Sequence, residues 1–213
     1  SAGTVTASTH TNFLGGDVHL RRNLWAGDAV RLDGVVGYRW LHLGDRMASS
    51  WDVFGAGTPP PFGARLMADD GVRTRNDFHG GLLGLAPTMN VGRFSVTGRL
   101  AVALGSTTSE RDVTRTRVVV PGLANAGPLG LTPVTLRSVG AQDEGSEFAV
   151  APEAGVKFGW RATDSLHVTA GYSFLYWSRV RRAQEHFDPT AFAANGTTDF
   201  WAQGLSLGLE WRY

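Results

Sequence analysis

The sequence predicts an all-β fold: an antiparallel up-and-down transmembrane β-barrel of about seven to eight strands, forming one domain over residues 1–213. Three observations predict it. Glycine supplies 28 of 213 residues, about twice the usual share, and is scattered among Val, Leu, Thr and aromatics, which disfavours a helical fold. Apolar residues recur with period two, the signature of strands. Short connections alternate with long irregular ones, the asymmetry of bacterial outer-membrane barrels, whose short turns face the periplasm.

The first pair of strands shows the pattern. Leu14, Val18, Leu20 and Leu24 share one face with Arg22, while Asp17, His19, Arg21 and Asn23 occupy the other. Ala26-Gly27-Asp28 then turns the chain, and Val30, Leu32, Val36, Tyr38 and Trp40 repeat the apolar face. In the second pair Phe78, Gly80, Leu82, Gly84 and Ala86 alternate more weakly with their neighbours, and after Asn90-Val91-Gly92 come Phe94, Val96, Leu100, Val102 and Leu104. The third is the cleanest: Phe148 to Trp160 and Leu166 to Tyr176 both place apolar residues at even positions. Leu205, Leu207, Leu209, Trp211 and Tyr213 form the last strand's apolar face. The expectation is therefore that even positions of the first six strands face lipid.

The character of the two faces separates a membrane barrel from a soluble sandwich. The less apolar face is Gly, Ala and Ser with scattered charges, suited to a narrow lumen rather than to water. The apolar face ends in aromatics: Trp25, Phe94, Trp160, Trp211 and Tyr213 at the turn side, Trp40, Tyr172, Phe174 and Tyr176 toward the other. Two such bands around an aliphatic belt are interfacial girdles. Residues 46–72, 108–145 and 182–199 are read as long outer loops, and 1–11 as an extension. Within the second loop, 114–120 and 131–139 could prolong a hairpin beyond the membrane.

Composition excludes several classes. Lys+Arg is 20 against Asp+Glu 19, so nucleic acid is not an expected partner. No cysteine means no disulfide, thiolate nucleophile or Cys-based zinc site. No run of about 18 apolar residues suggests a transmembrane helix, and Ser1-Ala2-Gly3-Thr4 lacks the character of a signal peptide.

Candidate chemistry is sparse. His19, His79 and His167 fall on the lumen parity, with Asp17 and Asp77 two residues from the first two, but such pairs are common in a polar lumen. No Gly-x-Ser-x-Gly elbow or His-Glu-x-x-His helix occurs, and Glu185, His186 and Asp188 form a thin metal candidate in a loop. The chain reads as a non-enzyme with no cofactor, metal or catalytic residue. More informative are the inward charges Arg31, Asp33, Arg39, Arg99, Glu147, Glu153, Lys157, Arg161 and Glu210. A bore of about eight strands is just filled by side chains, so these charges are expected to form a salt-bridge network, with Glu153 facing an Arg. Trp177 is expected to point inward near the outer rim, with Arg179, Arg181 and Arg182 as an exposed basic cluster beyond it.

Phe148-Ala-Val-Ala-Pro-Glu153-Ala-Gly-Val-Lys-Phe-Gly-Trp160 and Gly171-Tyr-Ser-Phe-Leu-Tyr-Trp177-Ser-Arg-Val180 resemble the planctomycete outer-membrane β-barrel family described as putative porins. Leu20–Leu24, Arg31–Arg39 and Thr74–Gly81 fit in the same order, so the resemblance covers about residues 12–213. It implies a bacterial outer-membrane location and a barrel, and brings no catalytic residues with it. Arg181-Arg182-Ala183-Gln184 departs from the family's usual Arg-Pro-Gly, and family members extend further at the N-terminus.

Two questions stay open at this point. The function is a structural or partner-binding role through the outer loops, a porin-like channel for small solutes, or a ligand-binding or lipid-modifying barrel. Besides outer-membrane lipid, the partner question concerns strand count. Seven strands leave Leu14–Leu24 and Leu205–Tyr213 as edges, to be joined directly or bridged by a further strand.

Overall fold

The computed structural model describes residues 2–55, 65–120, 134–186 and 196–211. Seven strands follow in chain order: β1 (Ala2–Ala26), β2 (Val30–Phe54), β3 (Arg65–Val91), β4 (Phe94–Val120), β5 (Val134–Arg161), β6 (Leu166–Val180) and β7 (Thr198–Trp211). Each is hydrogen-bonded antiparallel to the next in a single up-and-down sheet, curled into a half-barrel. Among the described residues no ladder joins β1 to β7.

The turns follow from local chemistry. Val91 pairs with Phe94 across a two-residue turn in which Gly92 has φ 59°, a conformation glycine adopts without a Cβ penalty. Gly27 N–H donates to the Val30 carbonyl at 2.8 Å, closing the first turn. Thr163 Oγ1 accepts from the Leu166 N–H at 2.9 Å in the third. Glycine also permits close approach within the sheet: a Cβ on Gly105 would lie 2.1 Å from the His79 carbonyl oxygen.

Lipid-facing stretches run from Phe94 to Leu104 on β4, Phe148 to Trp160 on β5 and Trp201 to Trp211 on β7. Each is about eleven to thirteen residues, close to what a tilted barrel strand needs to cross the hydrocarbon core. Strands β1 to β5 continue well past that belt, whereas β6 ends at Val180 and β7 begins at Thr198. Above the membrane the sheet is thus a five-stranded wall.

That wall corrects the sequence boundaries. Much of 46–72 and 108–145 is strand rather than loop, since Phe54 pairs with Arg65 and Val119 with Val134. Residues 2–11 are not an extension but the outer half of β1, with Ala2 opposite Phe54. Outside lipid, a ladder needs no apolar alternation, so these strands carried no period-two signal. The coil signals at 58–61 and 127–128 lie outside the described residues.

A second correction concerns β3. Its even positions face inward: Phe78 and Leu82 are buried while Leu83 and Leu85 are exposed. Leu and Gly occur on both faces here, so alternation alone leaves the choice open. Register decides it, because Val36 and Val102 both pair with Leu83, and partners in adjacent strands share a face.

Candidate functional site

The inner face is layered from the periplasmic turns upward. At the bottom Asp33 accepts from Arg21 Nε at 2.6 Å and Asn23 Nδ2 at 3.0 Å, with Arg31 Nη2 at 3.2 Å. Above it, at the level of the lipid belt, four charges from four strands meet. Arg99 reaches the two Asp17 oxygens at 3.0 and 3.1 Å and Glu153 at 3.3 Å. Arg39 bonds to Glu153 and lies 3.3 Å from Asp17. Two arginines thus balance two carboxylates, with Arg39 buried and Asp17, Arg99 and Glu153 half-buried. A charge left without partners there costs several kcal/mol.

Over this quartet the lumen is apolar and packed. Leu41, Leu82, Ala103 and Ala151 are buried, followed by Leu43, Ala149, Phe78 and Trp177. The Phe78 and Trp177 rings meet edge to face with centroids 6.0 Å apart. Trp177 Nε1–H donates to Thr107 Oγ1 at 2.9 Å, giving the buried indole its required acceptor.

The third layer is formed by the segment after β6. The β6–β7 register shifts between Trp177 and Val180, and Arg179 takes φ 57°. The chain then runs inward and a short 3-10 turn, Ala183–His186, packs against the wall. Asn76 holds it: Asn76 Nδ2 donates to the Arg181 carbonyl at 2.8 Å, and Asn76 Oδ1 accepts from the Arg181 N–H at 2.7 Å. Ser109 Oγ donates to the same oxygen at 2.8 Å. Arg181 Nη1 donates to Asp143 at 2.7 Å, Arg182 bonds to Asp45, and Ala183 packs against Val72 and Val113.

The inward charges read from the sequence fall into several groups. Arg39, Arg99 and Glu153 meet in the quartet, and Arg31 and Asp33 meet below it. Glu147 lies 3.9 Å from Arg179, and Glu210 lies 3.7 Å from His167. Lys157 and Arg161 are exposed. Trp25, Phe94, Trp160, Tyr172, Phe174 and Trp211 are exposed on the outer face, with Trp40 and Tyr176 half-covered there. Trp25 joins that face because the ladder slips one residue between Asn23 and Trp25, pairing it with Leu32. Tyr213 lies outside the described residues.

Three placements differ from expectation. His79 points outward, its ring bonded to the Tyr38 hydroxyl at 2.6 Å, because β3 is inverted. Asp77 pairs with His42 at 2.7 Å rather than with its neighbour. Arg181 is buried rather than exposed, and Arg182 is half-covered by its bond to Asp45. Sequence reasoning missed Asn76 and Trp201, which stacks on Phe174 at 6.3 Å. Trp201 had a usable signal, since it shares parity with Leu205, Leu207 and Leu209. Among the described residues no group of three or more His, Cys, Asp or Glu is placed to hold a metal, and Asp188 lies outside them.

Comparison with known proteins gives one match and two blanks. The family model described as "Putative beta barrel porin-7 (BBP7)" matches residues 1–213. No curated protein and no solved structure matches the chain.

Proposed function

Since the chain belongs to the putative beta barrel porin-7 family, and so is an outer-membrane β-barrel protein, we propose that its role there is structural and partner-binding, exerted through the outer wall. The observation that carries this reading is the packed interior. Leu43, Phe78, Ala103, Ala149 and Trp177 have no exposed surface, and the Arg181–Ala183 segment is bonded over them. A water-filled bore needs about sixteen strands, and one of about eight is filled by its own side chains. The wall of β1 to β5 instead gives the protein a broad paired surface beyond lipid, the place for contact with other molecules of the cell envelope.

A porin-like channel is the second reading, favoured by the Asp17, Arg39, Arg99 and Glu153 charges at lipid depth. Those charges neutralise one another, two arginines against two carboxylates, which suits a closed lumen better than an ion path. Planar-bilayer recording of the purified protein separates the two. The structural reading expects no large stable conductance; a large, reproducible one would establish the channel.

A further inference from the structure

Arg22 stands on a face that holds no other charge. Among the described residues it is the one Asp, Glu, Lys or Arg on the outward face between the two aromatic girdles. Its outward neighbours on β1 are Leu20 and Leu24, both exposed, and its cross-strand partner is Gly34, which offers no carboxylate. An arginine facing hydrocarbon is costly unless its guanidinium reaches a polar layer or an anion, so such a residue marks a site with a partner. A polar layer is close. Trp25 of the turn-side girdle is three residues on, roughly 10 Å along a strand that rises about 3.3 Å per residue. An arginine stem lies along apolar surface while its head reaches the interface.

The surface beside Arg22 has the shape of a long apolar ligand. One register row runs Arg22, Gly34, Leu85, Leu100, Ala154 and Phe174 across β1 to β6. All six border a groove of about 950 Å³. That lies near the upper end of the roughly 300–1,000 Å³ that takes one small-molecule ligand. The row also climbs. Arg22 and Gly34 are four residues from the turn ends of their strands, Leu85 and Leu100 six, Ala154 seven and Phe174 eight. The groove therefore begins at a cation near the periplasmic interface and rises over aliphatic and small residues into the belt. Glu153, the one acid that borders it, is already bonded to Arg39 and Arg99.

We propose that Arg22 and this groove hold one glycerophospholipid of the periplasmic leaflet, its phosphodiester on the guanidinium and an acyl chain along the row from Gly34 to Phe174. The order of charge and apolar surface matches: phosphate at the interface, hydrocarbon above it. A guanidinium presents paired N–H donors at the spacing of phosphate oxygens. A second copy of this chain fits less well, because the described part of its own lipid face has no carboxylate to meet Arg22.

The purified chain in an uncharged, phosphate-free detergent is titrated with dioleoylphosphatidylglycerol, and with dioleoylglycerol as the chain-matched probe without phosphate. Native mass spectrometry should show one phosphatidylglycerol retained per chain, and about tenfold less dioleoylglycerol, the scale of one charge-assisted contact. Arg22→Leu should lose the same factor, and leucine suits a lipid-facing position, so folding is kept. Gly34→Leu tests the groove with the charge intact. Its added Cβ would meet only the flexible Leu24 side chain, from 3.0 Å, and retention should again fall. Phosphatidylglycerol with a nitroxide midway along one chain, at one lipid per protein, should broaden the Leu85 and Leu100 amide signals before those of Leu205 and Leu207. Equal retention by wild type and Arg22→Leu, equal retention of the two probes, or broadening no stronger at Leu85 than at Leu207 would overturn the proposal. So would a dimer that Arg22→Leu dissolves, which would assign the face to a second copy.

Discussion

Asn76 on β3 grips both backbone polar groups of Arg181, which lies 105 residues further along the chain, and is itself wholly buried. An asparagine amide is the side chain that mimics a peptide group, with one acceptor and paired donors in a plane. It therefore completes the backbone pairing that the chain gives up on leaving β6.

Removing that grip strands two buried backbone groups. Asn76→Ala should destabilise the protein by about 2–4 kcal/mol, the cost of unpaired buried donors and acceptors. It should also expose the bonds after Arg181 and Arg182 to trypsin. Thermal unfolding in detergent and the mapped cleavage sites measure both effects. Wild-type cleavage resistance in Asn76→Ala would show that other contacts hold the segment.

The clamp also marks where sequence reading stops. Period two was legible wherever one face meets lipid and the other a narrow lumen, as along Phe148–Trp160. It faded on Leu82-Leu83-Gly84-Leu85, where both faces bear leucine or glycine and the register with β2 and β4 decides. Glu153 was legible as a charge needing an arginine, because its face was known. The partners of Arg181 and Arg182 were not, since Asp143 and Asp45 are 38 and 137 residues away and lie on strand segments beyond the belt. Nothing local distinguishes a buried arginine pair from a solvated one.

The inversion of β3 has a direct test. Leu82→Ala removes a buried side chain packed in the lumen and should cost about 2–5 kcal/mol. Leu83→Ala, one position along, trims a side chain that faces lipid and should cost under about 1 kcal/mol. Arginine reverses the contrast in kind. Leu83→Arg should impair membrane assembly, as should Leu100→Arg or Val156→Arg, by roughly 2–4 kcal/mol near the mid-plane. Unfolding midpoints and the membrane-inserted fraction of each variant give the comparison. Equal cost for both alanine variants would refute the register.

The quartet predicts strong coupling. Arg39→Met leaves Arg99 as the one arginine that Asp17 and Glu153 share, with Asp17 keeping its bond to His19, and should cost about 3–5 kcal/mol. Adding Glu153→Gln to Arg39→Met should recover part of that loss, because the orphaned carboxylate is then neutral. A double-mutant cycle in urea should return an interaction of about 1–3 kcal/mol between the two positions. Strict additivity would mean that water, not Arg39, satisfies Glu153.

The tip of the β2–β3 hairpin supplies a pH dependence whose sign can be worked out. Arg65 donates from Nε to Asp52 Oδ1 at 2.7 Å and pairs with its other oxygen, and stands over the Phe54 ring at 5.0 Å. The hydrogen bond from Arg65 is the largest influence on Asp52 and, with its charge, holds the carboxyl below the ordinary 3.8, against the opposing effect of desolvation. A carboxyl whose folded pKa is depressed contributes stability above its unfolded value, and that contribution is lost as pH falls through the folded one. The tip should therefore stay closed at neutral pH and fray below about pH 4, near the unfolded aspartate value. Exchange of the Val53, Phe54 and Leu66 amides, followed as the pH is lowered, should speed up in that window while the lipid-belt amides of β4 do not. Asp52→Asn should exchange faster at neutral pH and lose the acid-induced change. If the wild-type tip exchanges at a pH-corrected rate that stays flat down to about pH 2, the pair does not hold the hairpin together.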